Sequence, residues 1–231
     1  NIQGIARETR YNLLKSFCKK KNIKSIATAH HREDQIETFL IRLSRGSGVQ
    51  GLSSMNQRVK LDSNIYLIRP LLDCKKEELI KISKYIFKTY FNDPSNLNKK
   101  YLRTNVRILI KKMSDTGISQ DQIIKSIKNL SLTRDTINSY LKIAYKKNVL
   151  KKNKTHLIKL KQFKQESDEI KIKILGLLLK KISGSYYPPR GKKLTFVINQ
   201  MIHKGVTKLT LAGCFIKKSG ASLMIEKEPK N

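Results

Sequence analysis

Tryptophan is absent from this sequence, and cysteine occurs three times in 231 residues. Cys18, Cys74 and Cys214 stand far apart with no C-x-x-C pair, which argues against a disulfide framework and a cysteine zinc site and fits a reducing, cytoplasmic compartment. No apolar run approaches the ~20 residues of a membrane-spanning helix, and no membrane partner is expected. The first ten residues hold no signal-peptide core, and the first of them is Asn rather than Met, so the expectation is a chain that starts inside a longer protein. Acidic residues are scarce. Asp and Glu number 17 against 49 Lys and Arg, a formal charge of +32 with a pI near 10.2.

Such a charge points to a polyanion: RNA, DNA or an anionic membrane face. The plainer reading is that lysine, accompanied by abundant Ile and Asn, is what an AT-rich genome writes on any solvated surface. A membrane-surface role needs a long amphipathic helix with bulky aromatics opposite its lysines, and none is legible. Hydrophobic residues make up 39% of the chain, enough for a folded core, while 29% charged residues keep that core lean. At roughly 150 residues per domain, the length allows one large domain or two small ones.

Ile5–Lys21 reads as an amphipathic helix with Leu13, Leu14, Phe17 and Cys18 as its stripe. Ser25–Ala29, short and apolar, suits a buried parallel strand. A helix from Arg32 to about Arg45 follows, stopped by Gly46-Ser47-Gly48, and Ile65–Ile68 is a further strand. Helix, strand, helix in that order predicts an α/β unit with a parallel sheet. From Lys75 the pattern is helical. Lys75–Phe91 carries Leu79, Ile82, Ile86 and Tyr90 at core spacing, and Lys99–Met113 carries Leu102, Val106, Leu109 and Met113. Gln120–Leu130 and Thr133–Lys147 read as two more helices, with Lys146–Lys154 as a linker. Beyond it, His156–Leu160, Lys208–Ala212 and Leu223–Glu226 read as strands and Ser167–Ile182 and Leu194–His203 as helices, with a turn at Lys218-Ser219-Gly220.

The most informative stretch is His30-His31-Arg32-Glu33-Asp34-Gln35-Ile36-Glu37-Thr38, where a strand ends and a helix begins. Ligands of open α/β sheets bind at that edge. A helical wheel puts Ile36, Phe39, Leu40 and Leu43 on one face and Asp34, Glu37, Thr38, Arg42 and Arg45 on the other. Paired carboxylates beside a histidine can hold an amine or share a proton; equally, acids belong in any first helical turn. Arg45-Gly46-Ser47-Gly48 could bring backbone N–H groups to a phosphate, or simply cap a helix. Arg103 and Arg107, one turn apart after the turn Asp93-Pro94-Ser95-Asn96, suit phosphates or form a solvated basic face. Tyr186-Tyr187-Pro188-Pro189-Arg190-Gly191-Lys192-Lys193 interleaves rings with cations, as a single-stranded RNA clamp would, or packs its tyrosines inward.

Taken together and in order, these motifs are more specific than any one of them. The run Ala6-Arg7, Arg10-Tyr11, Ala29-His30-His31-x-x-Asp34-Gln35-x-Glu37-Thr38, Arg45-Gly46-Ser47-Gly48 and Gly51-Leu52 resembles the tRNA(Ile)-lysidine synthetases, N-type ATP pyrophosphatases of the PP-loop superfamily. Arg69-Pro70-Leu71-Leu72, Asp93-x-Ser95-Asn96 and Arg103-x-Asn105-x-x-Arg107 continue the likeness, which is dense over residues 4–113. The resemblance implies an α/β, parallel-sheet, adenine-nucleotide α-hydrolase-like (PP-loop) domain in residues 1–113, incomplete at its N-terminus. A helical connector over 114–154 and a small α+β tRNA-binding domain over 155–231 would follow. It implies adenylation of the wobble cytidine of an isoleucine tRNA with a CAU anticodon at C2, then displacement of AMP by the ε-amine of free lysine, in the cytoplasm. The implied partners are ATP with Mg2+, lysine, that tRNA and, as a homodimer, a second copy of the chain.

On that resemblance His31, Asp34 and Glu37 are the candidate catalytic residues, and Arg45, Gly46, Ser47 and Gly48 the ATP phosphate contacts. Arg103, Asn105, Arg107, Arg190, Lys192 and Lys193 would contact tRNA. Glu33 stands where the family usually has Asp, which weakens any role there. The family's Ser-Gly-Gly-x-Asp-Ser loop occurs nowhere in the 231 residues, so the chain alone is expected to be inactive. The alternatives are a non-catalytic tRNA-binding remnant and a related PP-loop tRNA thiolase, the latter disfavoured by the missing cysteine pairs.

Overall fold

The structure, a computed structural model, describes residues 2–62, 64–91, 102–152, 155–185 and 187–229. Asp93-Pro94-Ser95-Asn96, Tyr101 and Tyr186 lie outside the described residues. The chain divides into two compact units, Asn1–Arg134 and Asp135–Asn231.

The first unit opens with helix α1 (Ile2–Lys20), after which Asn22 in a left-handed conformation turns the chain into strand β1 (Ser25–Ala27). β1 runs parallel to β3 (Tyr66–Ile68), with Ile26 opposite Leu67, as the apolar runs predict. The other neighbour of β3 is an unforeseen strand, β2 (Arg58–Lys60), antiparallel to it, so the sheet β1-β3-β2 is mixed rather than all parallel. The reason is the connection: residues 61–65 are too few for the crossover a parallel pair needs. Cys18, Ile26, Ile65 and Leu67 form the core beneath this sheet, with Tyr11, Val59 and Leu61 against it. The expected α1 stripe is only partly covered, for Leu13 and Phe17 are exposed and Cys18 is buried, because a three-stranded sheet reaches a single edge of the helix.

A second core of this unit is built from i, i+4 pairs on three helices. Helix α2 (Arg32–Leu43) supplies Ile36 and Leu40, and a short helix α3 (Val49–Leu52) follows it. After helix α4 (Lys76–Phe87), helix α5 (Leu102–Asp115) gives Val106 and Ile110, and α6 (Gln120–Asn148) gives Ile123 and Ile127. Side chains four apart share a helix face, which makes 106, 110 and 113 the inward row of α5; Leu102 and Leu109 are exposed, contrary to expectation. The helix expected to Phe91 ends at Phe87, and its expected core positions Ile82 and Ile86, with Tyr90 beyond its end, are exposed as well. The two helices expected over 120–147 are one, since no Gly or Pro interrupts them.

The second unit takes the end of α6 straight into strand β4 (Val149–Lys152), where a linker was expected. Strand β5 (Thr155–Lys159), helices α7 (Leu160–Gln165), α8 (Asp168–Ser183) and α9 (Gly191–Ile202), and strands β6 (Lys208–Leu211), β7 (Cys214–Ser219) and β8 (Ser222–Lys227) complete it. The sheet is antiparallel, in the order β4-β5-β8-β7-β6. Every second residue points inward, Ile158 on β5, Cys214 and Ile216 on β7, Leu223 and Ile225 on β8, the period-2 signature of a half-buried sheet. Ile174, Leu175, Leu178 and Leu179 of α8 and Leu194, Val197, Ile198 and Met201 of α9 pack into the same cluster. Ala212, expected in a strand, instead forms with Gly213 the two-residue turn between β6 and β7, both at positive φ as such a hairpin requires. Among the described residues no helix is long and apolar enough to cross a membrane.

Candidate functional site

The β1 exit delivers His30 and His31 to the start of α2. His30 Nδ1 lies 2.9 Å from Thr28 Oγ1, while His31 is the N-cap of α2 and its backbone N–H donates to Asp34 Oδ2 at 3.0 Å. Asp34 therefore has a defined local job, reaching back to satisfy an N–H ahead of the first helical turn. His31 Nδ1 lies 2.9 Å from Glu33 Oε2, and Glu33 also accepts the Lys76 N–H of α4 at 3.0 and 3.2 Å. The two imidazoles diverge in consequence. The Glu33 carboxylate, outweighing burial, holds the His31 pKa above its ordinary value of 6.5; burial, reinforced by nearby Arg69, Arg7 and Arg103, pushes that of His30 below it despite Asp34. Burial raises the Glu33 carboxyl, but His31 and the N–H donors outweigh it and leave it below the usual range. Glu33, discounted from the sequence because it is not Asp, thus ties His31 to the start of α4.

Glu37 departs from the wheel reading. It is 2% exposed, not on an outward face, because α5 packs against that side of α2. Arg107 Nε donates to its Oε1 at 2.6 Å, and Arg103 Nε lies 4.0 Å from Oε2. Oε2 is buried and accepts no hydrogen bond among the described residues. Both arginines placed at the tRNA by sequence thus turn toward a carboxylate one helix away, while Asn105 between them is exposed. His31, Glu33, Glu37, Lys76 and Arg107 line one cavity of about 280 Å³. A neighbouring cavity of about 490 Å³ carries Arg32, ion-paired with Asp121, and shares Glu33.

The glycine loop behaves as a helix C-terminus. Gly46, at φ 66, donates its N–H to Leu43 O at 2.9 Å, and Ser47 donates to Arg42 O at 3.1 Å, so these two amides are spent on the end of α2. The loop is held from beneath by Arg42, whose Nη1 donates to Gly51 O at 2.7 Å and Ser54 O at 2.9 Å. Gln35 clamps Met55 through both amide atoms, at 2.9 and 2.8 Å. Arg69 is buried, donates Nη1 to Asn56 O at 2.7 Å, and leaves Nε without a partner among the described residues. Burial lowers both guanidinium pKa values, and Arg69, Arg45 and Arg7 repel Arg42 further. They stay charged all the same. No carboxylate pairs with Arg7, Arg42, Arg45 or Arg69 among the described residues, which makes this an anion-attracting cluster of which the sequence pattern assigns only Arg45 to phosphate. It could have been suspected from Arg42, Arg45 and Arg69 at loop and helix ends with so few acids to match.

In the second unit Arg190 is the N-cap of α9, and Lys192 and Lys193 line a cavity of about 280 Å³ with Phe196. Tyr187 is exposed there rather than packed inward.

The family model of the PP-loop domain matches residues 1–113. A tRNA(Ile)-lysidine synthase of Wolbachia pipientis wMel is 36% identical over 230 residues, covering 99% of this chain and 53% of that protein. Those of Orientia tsutsugamushi (strain Boryong) and Rickettsia bellii (strain OSU 85-389) are each 34% identical, over 237 and 229 residues, with the same coverage. The chain spans about half the length of the curated relatives it matches. The parallel β1–β3 pair and the histidine-capped helix that follows β1 lie within residues 1–113, the part of the chain that is similar to the PP-loop domain.

Proposed function

We propose that this chain carries part of the machinery for ATP-dependent joining of lysine to C2 of the wobble cytidine of an isoleucine tRNA with a CAU anticodon. The observation that carries the reading is Glu37: a buried carboxylate, fixed by Arg107 through one oxygen, with the other accepting no hydrogen bond among the described residues and 4.0 Å from Arg103, near the edge where α/β sheets bind ligands. The chemistry asks for positioning and charge stabilisation more than for covalent catalysis. The cytidine O2 attacks the α-phosphorus and pyrophosphate leaves; the lysine ε-amine then attacks C2 and AMP leaves. On this reading Glu37 Oε2 takes the lysine ammonium, and Asp34 with His31 and Glu33 receives the proton that the amine must lose.

The phosphates fit the Arg7, Arg42 and Arg69 cluster with Arg45 beside it, rather than the Gly46 and Ser47 amides, which are already bonded. Among the described residues no group of three or more His, Cys, Asp or Glu is placed to hold a metal ion. A magnesium ion would enter with the nucleotide, held chiefly by its phosphates. Arg190, Lys192 and Lys193 supply a basic edge for tRNA in the second unit.

Because no Ser-Gly-Gly-x-Asp-Ser loop is present in residues 1–231, these residues by themselves bind tRNA without forming lysidine. A chimera with such a loop segment from a relative fused ahead of Asn1 forms lysidine from ATP, lysine and tRNA, and Glu37→Gln abolishes that product. A folded, ATP-binding chimera that makes no lysidine, or one indifferent to Glu37, overturns the reading. The net charge of +32 favours one other reading, a basic RNA-binding protein without catalysis; RNA affinity in a folded chimera that yields no product would mark it.

A further inference from the structure

Helix α4 has no buried side chain. Its spacing places Ile82, Tyr85 and Ile86 on one face, and Tyr85 is 81% exposed. At and just beyond its C-terminus Phe87 and Phe91 are 69% and 87% exposed. The helix is nonetheless fixed at its start, where Glu33 accepts the Lys76 N–H and Glu78 the Lys75 N–H. A helix of 12 residues is marginal in water by itself, and clustered exposed apolar side chains mark interaction sites. Cations stand among these rings: Lys88 Nζ lies 5.8 Å from the centre of the Tyr85 ring and Lys84 Nζ 5.6 Å from that of Tyr90.

We propose that this face is a stacking platform for a single-stranded segment of RNA, with bases on Tyr85 and, past the helix end, on Phe91, and phosphates on Lys81, Lys84 and Lys88. Charge selects the occupant. The first unit carries 27 basic residues against 11 acidic ones, so a second copy would bring its own lysines against these and be repelled. A polyanion whose bases have apolar π-faces satisfies rings and ammoniums together, and such stacking tolerates any sequence. The proposal deepens the RNA reading above and does not depend on the lysidine chemistry.

The test uses residues 1–231 and a labelled unstructured RNA of about twelve nucleotides, against the same sequence as a duplex. Tyr85→Ala with Phe91→Ala, both at exposed positions that the fold does not need, lowers single-strand affinity roughly five- to hundredfold per ring. The salt slope stays unchanged, and duplex affinity hardly moves. Lys81→Gln with Lys84→Gln instead flattens the slope of log affinity against log salt, by about 0.7 for each phosphate no longer neutralised. Equal losses on strand and duplex, or none on either, overturn the proposal. So does sedimentation showing a wild-type dimer that the aromatic variant dissolves, or wild-type binding to anionic phospholipid vesicles that the variant loses while RNA binding persists.

Discussion

His30 and His31 sit side by side with opposite surroundings, and their titration reads the site directly. The folded chain holds the His31 proton more tightly than the unfolded chain does. Its pairing with Glu33 therefore contributes stability fully below about pH 6.5 and loses it as pH rises through the higher folded value. His30 has the opposite sign: its neutral form is favoured, so its contribution is present above about 6.5 and fades as pH falls. Imidazole resonances followed by NMR should titrate on either side of 6.5, with Glu33→Gln bringing His31 down; two histidines titrating together would contradict the geometry. At Glu37 the issue is an unpaired buried charge. Arg107→Ala removes the 2.6 Å partner and leaves the carboxylate with Arg103 at 4.0 Å. A loss of about 1–3 kcal/mol is expected, below the usual buried-pair figure because Arg107 is partly exposed. Urea titration of Arg107→Ala and of Arg107→Ala with Glu37→Gln measures it, the double variant recovering part of the loss.

Among the elements, the end of α2 shows why particular glycines stand in the loop. Gly46 takes a left-handed conformation to turn the chain back onto the helix end. Gly51 answers a different need, since a Cβ there would stand 2.6 Å from Ser47 Cβ. Ser47 is short and attached directly to the backbone, so it cannot swing away, and Gly51→Ala should cost about 1–3 kcal/mol by overpacking. Adding Ser47→Gly removes the obstructing atoms and should restore most of the melting temperature. No rescue by that second change would mean that the clash is not the cause. The same loop was legible in sequence as Gly-Ser-Gly, yet its spacing alone could not say whether its N–H groups faced a phosphate or the helix end, because both demand glycine for the same conformational reason.

At the scale of the molecule the two units are unequally built. The second unit gathers eighteen buried residues into one cluster, whereas the first has six and four in two separate clusters among the described residues. Since burial supplies most of the folding free energy, amide exchange should be slower in β5, β7, β8 and α8 than in any helix of the first unit. Equal protection in the two would show that the clusters do not carry the stability. The second unit has an acid-sensitive point of its own at His156, buried with no partner for either ring nitrogen among the described residues. Burial, then Lys181 and Lys151, lower its pKa, so the unfolded chain binds this proton more readily and stability falls as pH drops below about 6.5. The urea midpoint of the second unit should decline between pH 7 and 5, and His156→Phe should flatten that decline.

The elements that rest on local pattern are legible in the residue order alone: the β1 run ahead of a histidine- and acid-rich helix start, the alternation of β5 and β8, the α8 and α9 stripes, and the motifs that carried the family likeness over residues 4–113. Those are properties of periodicity and residue type, which the chain states wherever it folds. Folding alone settles what depends on neighbours distant in sequence. It put Glu37 inside against Arg107, 70 residues away, joined Glu33 to Lys76, set Arg42 and Arg69 on backbone carbonyls, and left the α4 and α1 stripes open where apolar spacing promised a core. An apolar stripe specifies which side of a helix can be buried, but only the elements packed around it settle whether anything covers that side.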